Sequence, residues 1–249
     1  IYVIDSTNVT IRNLNLTNNL YGVFLWNVSN SRIENVTTSN NHYGISLHNC
    51  FADQDIFWWD PWYSFGLFGI FWSNITFNSY GIYMNNCTNY IVAENVVADN
   101  IFDGIRLYFS DNNLIVDNIA DSNENGFVLD TSSFNWIATW WVPPRVVSTA
   151  SNNTGYGIYL LNSNSNYICW NTALNNGKNG FQLSASDDNE IRGNNATSNY
   201  GGIRLDGSRD NTVSKNVALS NKGFAGIFLS SCPNSIVSDN TAANNSIAV

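Results

Sequence analysis

Residues 156–176 read YGIYLLNSNSNYICWNTALNN, short apolar words separated by asparagines. Asn is a poor strand former and is neutral to unfavourable inside helices, so one such cluster would mark a loop. The cluster recurs along the whole chain. Aligned on the glycine of each apolar word, the sequence gives YGVFL, YGISL, YGIYM, DGIRL, NGFVL, YGIYL, NGFQL, GGIRL and AGIFL. The glycines are Gly22, Gly44, Gly81, Gly104, Gly126, Gly157, Gly180, Gly202 and Gly226, spaced by 22, 37, 23, 22, 31, 23, 22 and 24 residues. Two spacings are long; the others hold a period near 22.

Positions inside the repeat agree as well. Apolar residues stand one and three after each glycine, from Val23 and Leu25 to Ile227 and Leu229. That period of two marks a strand with one face buried. A second apolar site follows ten or eleven residues after the glycine, at Ile33, Ile91, Ile115, Ile168, Ile191, Val213 and Ile236. Asn recurs fourteen residues after it (Asn95, Asn118, Asn171, Asn194, Asn216, Asn240) and nineteen after it (Asn100, Asn123, Asn176, Asn199, Asn221, Asn245). Short strands with Asn and Gly turns, and no room for a crossover helix, select a solenoid whose equivalent strands stack in parallel. The expectation is one all-β domain over residues 1–249: a parallel β-helix of about ten rungs, each adding about 4.8 Å. Asn is expected at the corners in two capacities, tolerating left-handed backbone and bonding to the Asn of the next rung as a ladder.

Composition narrows the function classes. The 249 residues are 44% hydrophobic and 14% aromatic but only 12% charged. Disordered chains are poor in aromatics, so the polar, Asn-rich character belongs to a folded repeat. A net charge of −9 with three Lys speaks against a nucleic-acid partner. The most apolar run, IFWWDPWYSFGLFGIFW (56–72), is interrupted by Asp60 and Pro61 and is too short to span a bilayer.

The pattern G-I-x-L … N-x-I-x-x-N-x-[AV]-x-x-N resembles the right-handed parallel β-helix repeats of the pectin-lyase-like superfamily, and most closely its NosD-like repeats of the CASH type. The resemblance covers residues 4–245 apart from two insertions. It implies a right-handed coil and a frequent link to carbohydrates and cell surfaces; enzymes of the superfamily usually act on acidic polysaccharides along the outer face of the first sheet. The residues of such enzymes are not found here. Asp187–Asp188 has no G-H-G or R-I-K companion, and His42 and His48 lie far from it. Arg204 and Asp206 share a strand face but gather no carboxylate cluster of the kind a hard cation needs. One Met, two His and four Cys at no zinc-like spacing supply no metal site. No catalytic residue, metal or cofactor is assigned.

Other residues stand out instead. The long spacings hold insertions, about 51–72 and 134–149, which contain Trp58, Trp59, Trp62, Trp72, Trp136, Trp140 and Trp141 of the nine Trp. Leaving the coil at the same corner three rungs apart, they are expected to pack as one aromatic lobe, as a flank cover, a protein contact or a sugar platform. Cys50 and Cys87 occupy equivalent positions on consecutive rungs, within disulfide range, with Cys169 and Cys232 free or intermolecular. Of the Asn-x-Ser/Thr sequons, Asn27, Asn74 and Asn86 are the glycan candidates.

These features support an extracellular or cell-surface structural protein that assembles with copies of itself into a surface layer, sheath or filament. The alternative is a carbohydrate-binding or polysaccharide-cleaving β-helix that uses the outward strip Phe24, Tyr83, Arg106, Tyr159 and Arg204 to hold cell-surface glycans.

Overall fold

The computed structural model describes residues 1–54, 68–138 and 147–247. Among these residues there are 28 strands and no helix. One coil shows the plan. Tyr80–Asn85, Ile91–Ala93 and Val96–Ala98 form its three sides, and the chain then climbs to Asp103–Tyr108. That strand pairs in parallel with Tyr80–Asn85, placing Ile105 beside Ile82 and Arg106 beside Tyr83. Ten strands stack this way from Tyr2–Ile4 to Ile227–Ser230 as a first sheet. The other eighteen form two ladders, joined where Thr10–Thr17 and Arg32–Ser39 run through the corner between them. The architecture is the parallel β-solenoid of about ten turns that the repeat predicts.

The core is filled rung by rung. Ile82 and Met84, Ile105 and Leu107, Phe127 and Leu129 are each almost wholly buried and face Val92, Ile115 and Ile137 from the second side. On two rungs the inward residue of that side is one later than the sequence suggested: Val92 and Val237 stack on Ile115 and Val213, displacing Ile91 and Ile236. Apolar neighbours at adjacent positions leave strand phase ambiguous by one residue.

Glycine controls the first sheet. In Tyr21–Trp26, Gly22 and Val23 are both buried while Tyr21 and Phe24 are half-buried, and the pairing to Tyr43–His48 skips the glycine. Two successive inward residues break the alternation, which turns the residue before glycine outward. Nothing larger fits the glycine site: a Cβ on Gly202 would lie 2.1 Å from the Gly226 carbonyl oxygen.

The corners hold four polar ladders. At the offset of nineteen, Asn100 N–H and Nδ2 both donate to Asn123 Oδ1 at 3.0 Å, and the scheme continues from Asn176 to Asn199 (2.9 and 2.8 Å). At fourteen, Asn194 donates likewise to Asn216 (2.8 and 3.1 Å). Two further ladders were not assigned from the sequence, although the first is the leading Asn of its N-x-I element. Nine residues after glycine, Asn113 donates to Asn135 and Asn135 to Asn166. Six after it, the N–H groups of Ser110, Ser132, Ser163 and Ser186 each donate to the next serine hydroxyl at 3.0 Å.

The two capacities assigned to Asn belong to different residues. The ladder residues have ordinary backbone, and the positive-φ position is the one immediately before each: Phe77 before Asn78 (φ 57°), Lys215 before Asn216 (56°), Phe109 before Ser110 (47°). A left-handed kink at one residue swings the next side chain into the coil. At the kink, Asn alternates with Phe, Trp, Thr and Lys, so the stacking of the coil outweighs the roughly 1–2 kcal/mol such backbone costs a residue other than glycine.

Of the two expected insertions, residues 55–67 and 139–146 lie outside the described residues, and the described remainder belongs largely to the coil. Phe51 bridges Ser29 and Thr88, Gly69–Phe71 is a ladder strand, and Trp136–Ala138 is another, paired on both sides. Phe71 belongs to a small outward apolar cluster with Ile91, Ala93, Leu114 and Val116, against which Trp136 packs.

Candidate functional site

The outward face of the first sheet concentrates the unusual side chains. Its middle column runs in register through Phe24, Ser46, Tyr83, Arg106, Val128, Tyr159, Gln182, Arg204 and Phe228. The five residues of the predicted strip therefore do lie on one line. The sequence did not expose the column beside it. Because glycine breaks the alternation, Tyr21, Tyr43 and Tyr80 turn outward and stack at 5.0 Å between centroids, with planes 9° and 12° apart. Phe102 extends the stack at 4.8 Å. Only the recurring YG dipeptide hinted at it.

A third column completes the patch. Trp26 stacks on His48 at 5.7 Å, and His48 fills the gap that Ser46 leaves between Phe24 (5.3 Å) and Tyr83 (5.6 Å). The Ser46 hydroxyl pairs with His48 Nε2 at 2.9 Å, and burial lowers the His48 pKa. Burial likewise raises the phenols of Tyr83 and Tyr43, the latter further through Tyr80 and Tyr21. At neutral pH these groups are uncharged donors and acceptors.

Where the aromatics end, an ion cluster begins. Arg106 Nη1 donates to Asp103 at 2.8 Å and Nη2 to Asp130 at 2.5 Å, while Asn125 Nδ2 holds the other Asp103 oxygen at 2.8 Å. Burial alone would lower the guanidinium pKa; the two carboxylates outweigh it and raise the value. Tyr43, Tyr80, Tyr83, Arg106, Tyr108 and Asp130 line an open depression of about 310 Å³ at this junction. Higher up, Arg204 grips Asp206 at 2.7 and 3.1 Å, and Gln182 donates to the same carboxylate at 3.0 Å. Burial pushes Asp206 up, but these hydrogen bonds and the Arg204 charge bring it below its ordinary value. Lys178 sits 4.8 Å over the Tyr156 ring, which itself packs on Tyr159.

The remaining candidates fall elsewhere. Trp58, Trp59, Trp62, Trp140 and Trp141 lie outside the described residues. Trp72 and Trp136 belong to the coil: Trp72 occupies a corner and donates to Glu94 at 3.0 Å, and Trp136 stacks on Tyr167 at 4.4 Å. The expected Cys50–Cys87 bridge is not formed, and all four cysteines are free. Cys50, Cys87 and Cys232 stand where other rungs have the laddered serine, and each aims its thiol, as serine aims its hydroxyl, at the carbonyl two residues back. A hydrogen bond with Cys87 lowers the Cys50 thiol pKa, whereas burial raises that of Cys87. Burial pushes Cys169 up to about 12. Asn27, Asn74 and Asn86 are exposed, with Asn27 donating to Asp5 and Asn86 to Asn49.

Comparison with known proteins agrees with this fold. The family model described as periplasmic copper-binding protein (NosD) matches residues 1–57, 67–177 and 145–249. No curated protein matches the sequence. Among solved structures, the periplasmic alginate epimerase AlgG is similar at 19% identity and a TM-score of 0.60, over 85% of this chain and 51% of AlgG. A mutant of that enzyme gives 18% and 0.54, over 93% and 61%. The A-module of the Azotobacter vinelandii mannuronan C-5 epimerase AlgE4 gives 11% and 0.48, over 94% and 91%. This chain thus spans about half to three-fifths of AlgG, and at such identities the likeness is one of fold.

Proposed function

The chain belongs to the NosD family, and from that premise we propose that it is an extracytoplasmic carbohydrate-binding β-helix, whose ligand lies along the outer face of the first sheet. One observation carries the reading: a continuous aromatic surface, from Tyr2 to Phe102, ends beside the Arg106 ion cluster on a sheet whose inner face is uniformly apolar core. Surfaces built from amphipathic rings and a few fixed polar groups suit ligands that are apolar on one side and hydroxylated on the other. Binding is favoured over cleavage because Asp103 and Asp130 are both engaged with Arg106. A glycan array read with the parent protein and with Tyr43→Ala and Tyr83→Ala tests this. Binding should fall in both variants at unchanged melting temperature; a parent protein that labels no glycan sinks the proposal.

Copper, which the family's description names, does not fit the residues present. Among the described residues no three His, Cys, Asp or Glu side chains gather as a donor set. Cys50 and Cys87 are closed inside the coil, and His48 Nε2 is held by Ser46. The surface-layer reading leans on the aromatic insertions, five of whose seven Trp lie outside the described residues.

A further inference from the structure

Building on that glycan-binding reading, we infer that the polysaccharide held on the first sheet is not anionic: it is neutral or amine-bearing, and carries no carboxylates or sulfates. The charges of the sheet lead there. Its ten strands carry only five charged side chains, the carboxylates Asp103, Asp130 and Asp206 and the guanidiniums Arg106 and Arg204. Both guanidiniums are already paired, Arg106 with two carboxylates and Arg204 with one in a two-point grip. Beside the strands, Lys178 over the Tyr156 ring and the exposed Glu124 hold the same place in their rungs, two before glycine, and offset one another, so the face is net negative by one charge, on a chain of net charge −9. A groove that holds a polyanion needs cations left over to face it, and like charge repels the encounter before any contact forms. To free Arg106 for a uronate would leave Asp103, only 3% exposed, without its counter-charge, and an unpaired buried carboxylate is costly.

The groups that do face outward match a hydroxylated, uncharged chain. Tyr43 is stacked on both sides, so its column offers a ligand ring edges and phenol hydroxyls in a row set by the rung spacing. Tyr83 and Phe24 lie tilted against His48, at 47° and 40°, and are only half-buried, so part of their apolar surface remains for the C–H side of a sugar.

Affinity gel electrophoresis of the native protein at low ionic strength separates the cases, with gels cast from a neutral β-glucan, galactomannan, xylan, chitosan, alginate or polygalacturonate. Retardation by at least one of the neutral or amine-bearing polymers, and by neither polyuronate, is the expected result. Retardation by alginate or polygalacturonate overturns the inference while leaving glycan binding intact. Retardation by none of the six overturns both. A second test inverts the charge argument: Asp103→Asn with Asp130→Asn frees Arg106, and alginate binding should rise by roughly tenfold or more. A doubly substituted protein that melts like the parent and still ignores alginate also counts against the inference.

Discussion

The two faces of the ten-stranded sheet come from the same repeats and differ in kind. Inward, the position after glycine is Ile, Val or Phe and the third position is Leu or Met, rung after rung. Outward, the position between them runs through Phe24, Ser46, Tyr83, Arg106, Val128, Tyr159, Gln182, Arg204 and Phe228. The coil needs sameness only inside, where each side chain must fill one layer and each corner amide must meet the next. Nothing in the fold asks for Tyr21, Tyr43 and Tyr80 to stack, or for Asp103 and Asp130 to share an arginine. Chemistry that the solenoid does not require is the place to look for the job.

That contrast is broken most severely from inside. Leu107 is fully buried, and Leu107→Ala should cost about 2–5 kcal/mol of stability, read by chemical denaturation. Asn176 comes next. It donates to Ala150 and Asn199 and accepts from Asn153, so Asn176→Ala strands several buried groups at about 1–3 kcal/mol. If either substitution leaves stability untouched, the inner face is not what holds the coil.

Outside, the signs reverse. Tyr43→Ala should weaken glycan binding by roughly tenfold, about 1.4 kcal/mol, while stability changes by less than about 1 kcal/mol. A variant that loses stability and binding together would show the tyrosine stack to be a structural spine.

Much of this was legible because a ladder repeats one residue type. The offsets of fourteen and nineteen are Asn on nearly every rung, and both proved to be ladders. The offset of six hid because its residue varies: Cys50, Cys87, Ser110, Ser132, Ser163, Ser186, Ser208 and Cys232 share one place but two chemistries. Read as cysteines they suggest a bridge; read with the serines they are ladder members. The kink residues hid for the opposite reason. In Asn152–Asn153 and Asn175–Asn176 both neighbours are Asn, and the kink cannot be told from the ladder; at Gly193–Asn194 and Phe77–Asn78 it can. The outward tyrosines needed knowledge of the glycine break, which composition does not carry.

The serine comparison sharpens into a small effect. Cys87→Ser should keep the side chain aimed at the Asn85 carbonyl, where Cys87 now points at 3.4 Å, and stability should stay within about 1 kcal/mol of the parent. Melting with and without reductant should coincide. A fall in melting temperature on reduction would instead show that Cys50 and Cys87 are bridged in solution.

The smallest expected effect lies on the outer face, at His48. Its ring is half-buried among Trp26, Phe24 and Tyr83 and bonded to Ser46, and burial holds its pKa below the ordinary histidine value near 6.5. A histidine lowered on folding binds protons more readily in the unfolded chain. Stability is therefore complete above about pH 6.5 and declines as the pH falls from there toward the folded value. With the ring about half open to water, the loss should stay under about 1 kcal/mol. Denaturation midpoints followed between about pH 8 and pH 5 should show the decline in the parent and not in His48→Gln. A decline of the same size in that variant would assign it to the carboxylates, whose own titration lies lower, and would remove His48 from the account of the outer face.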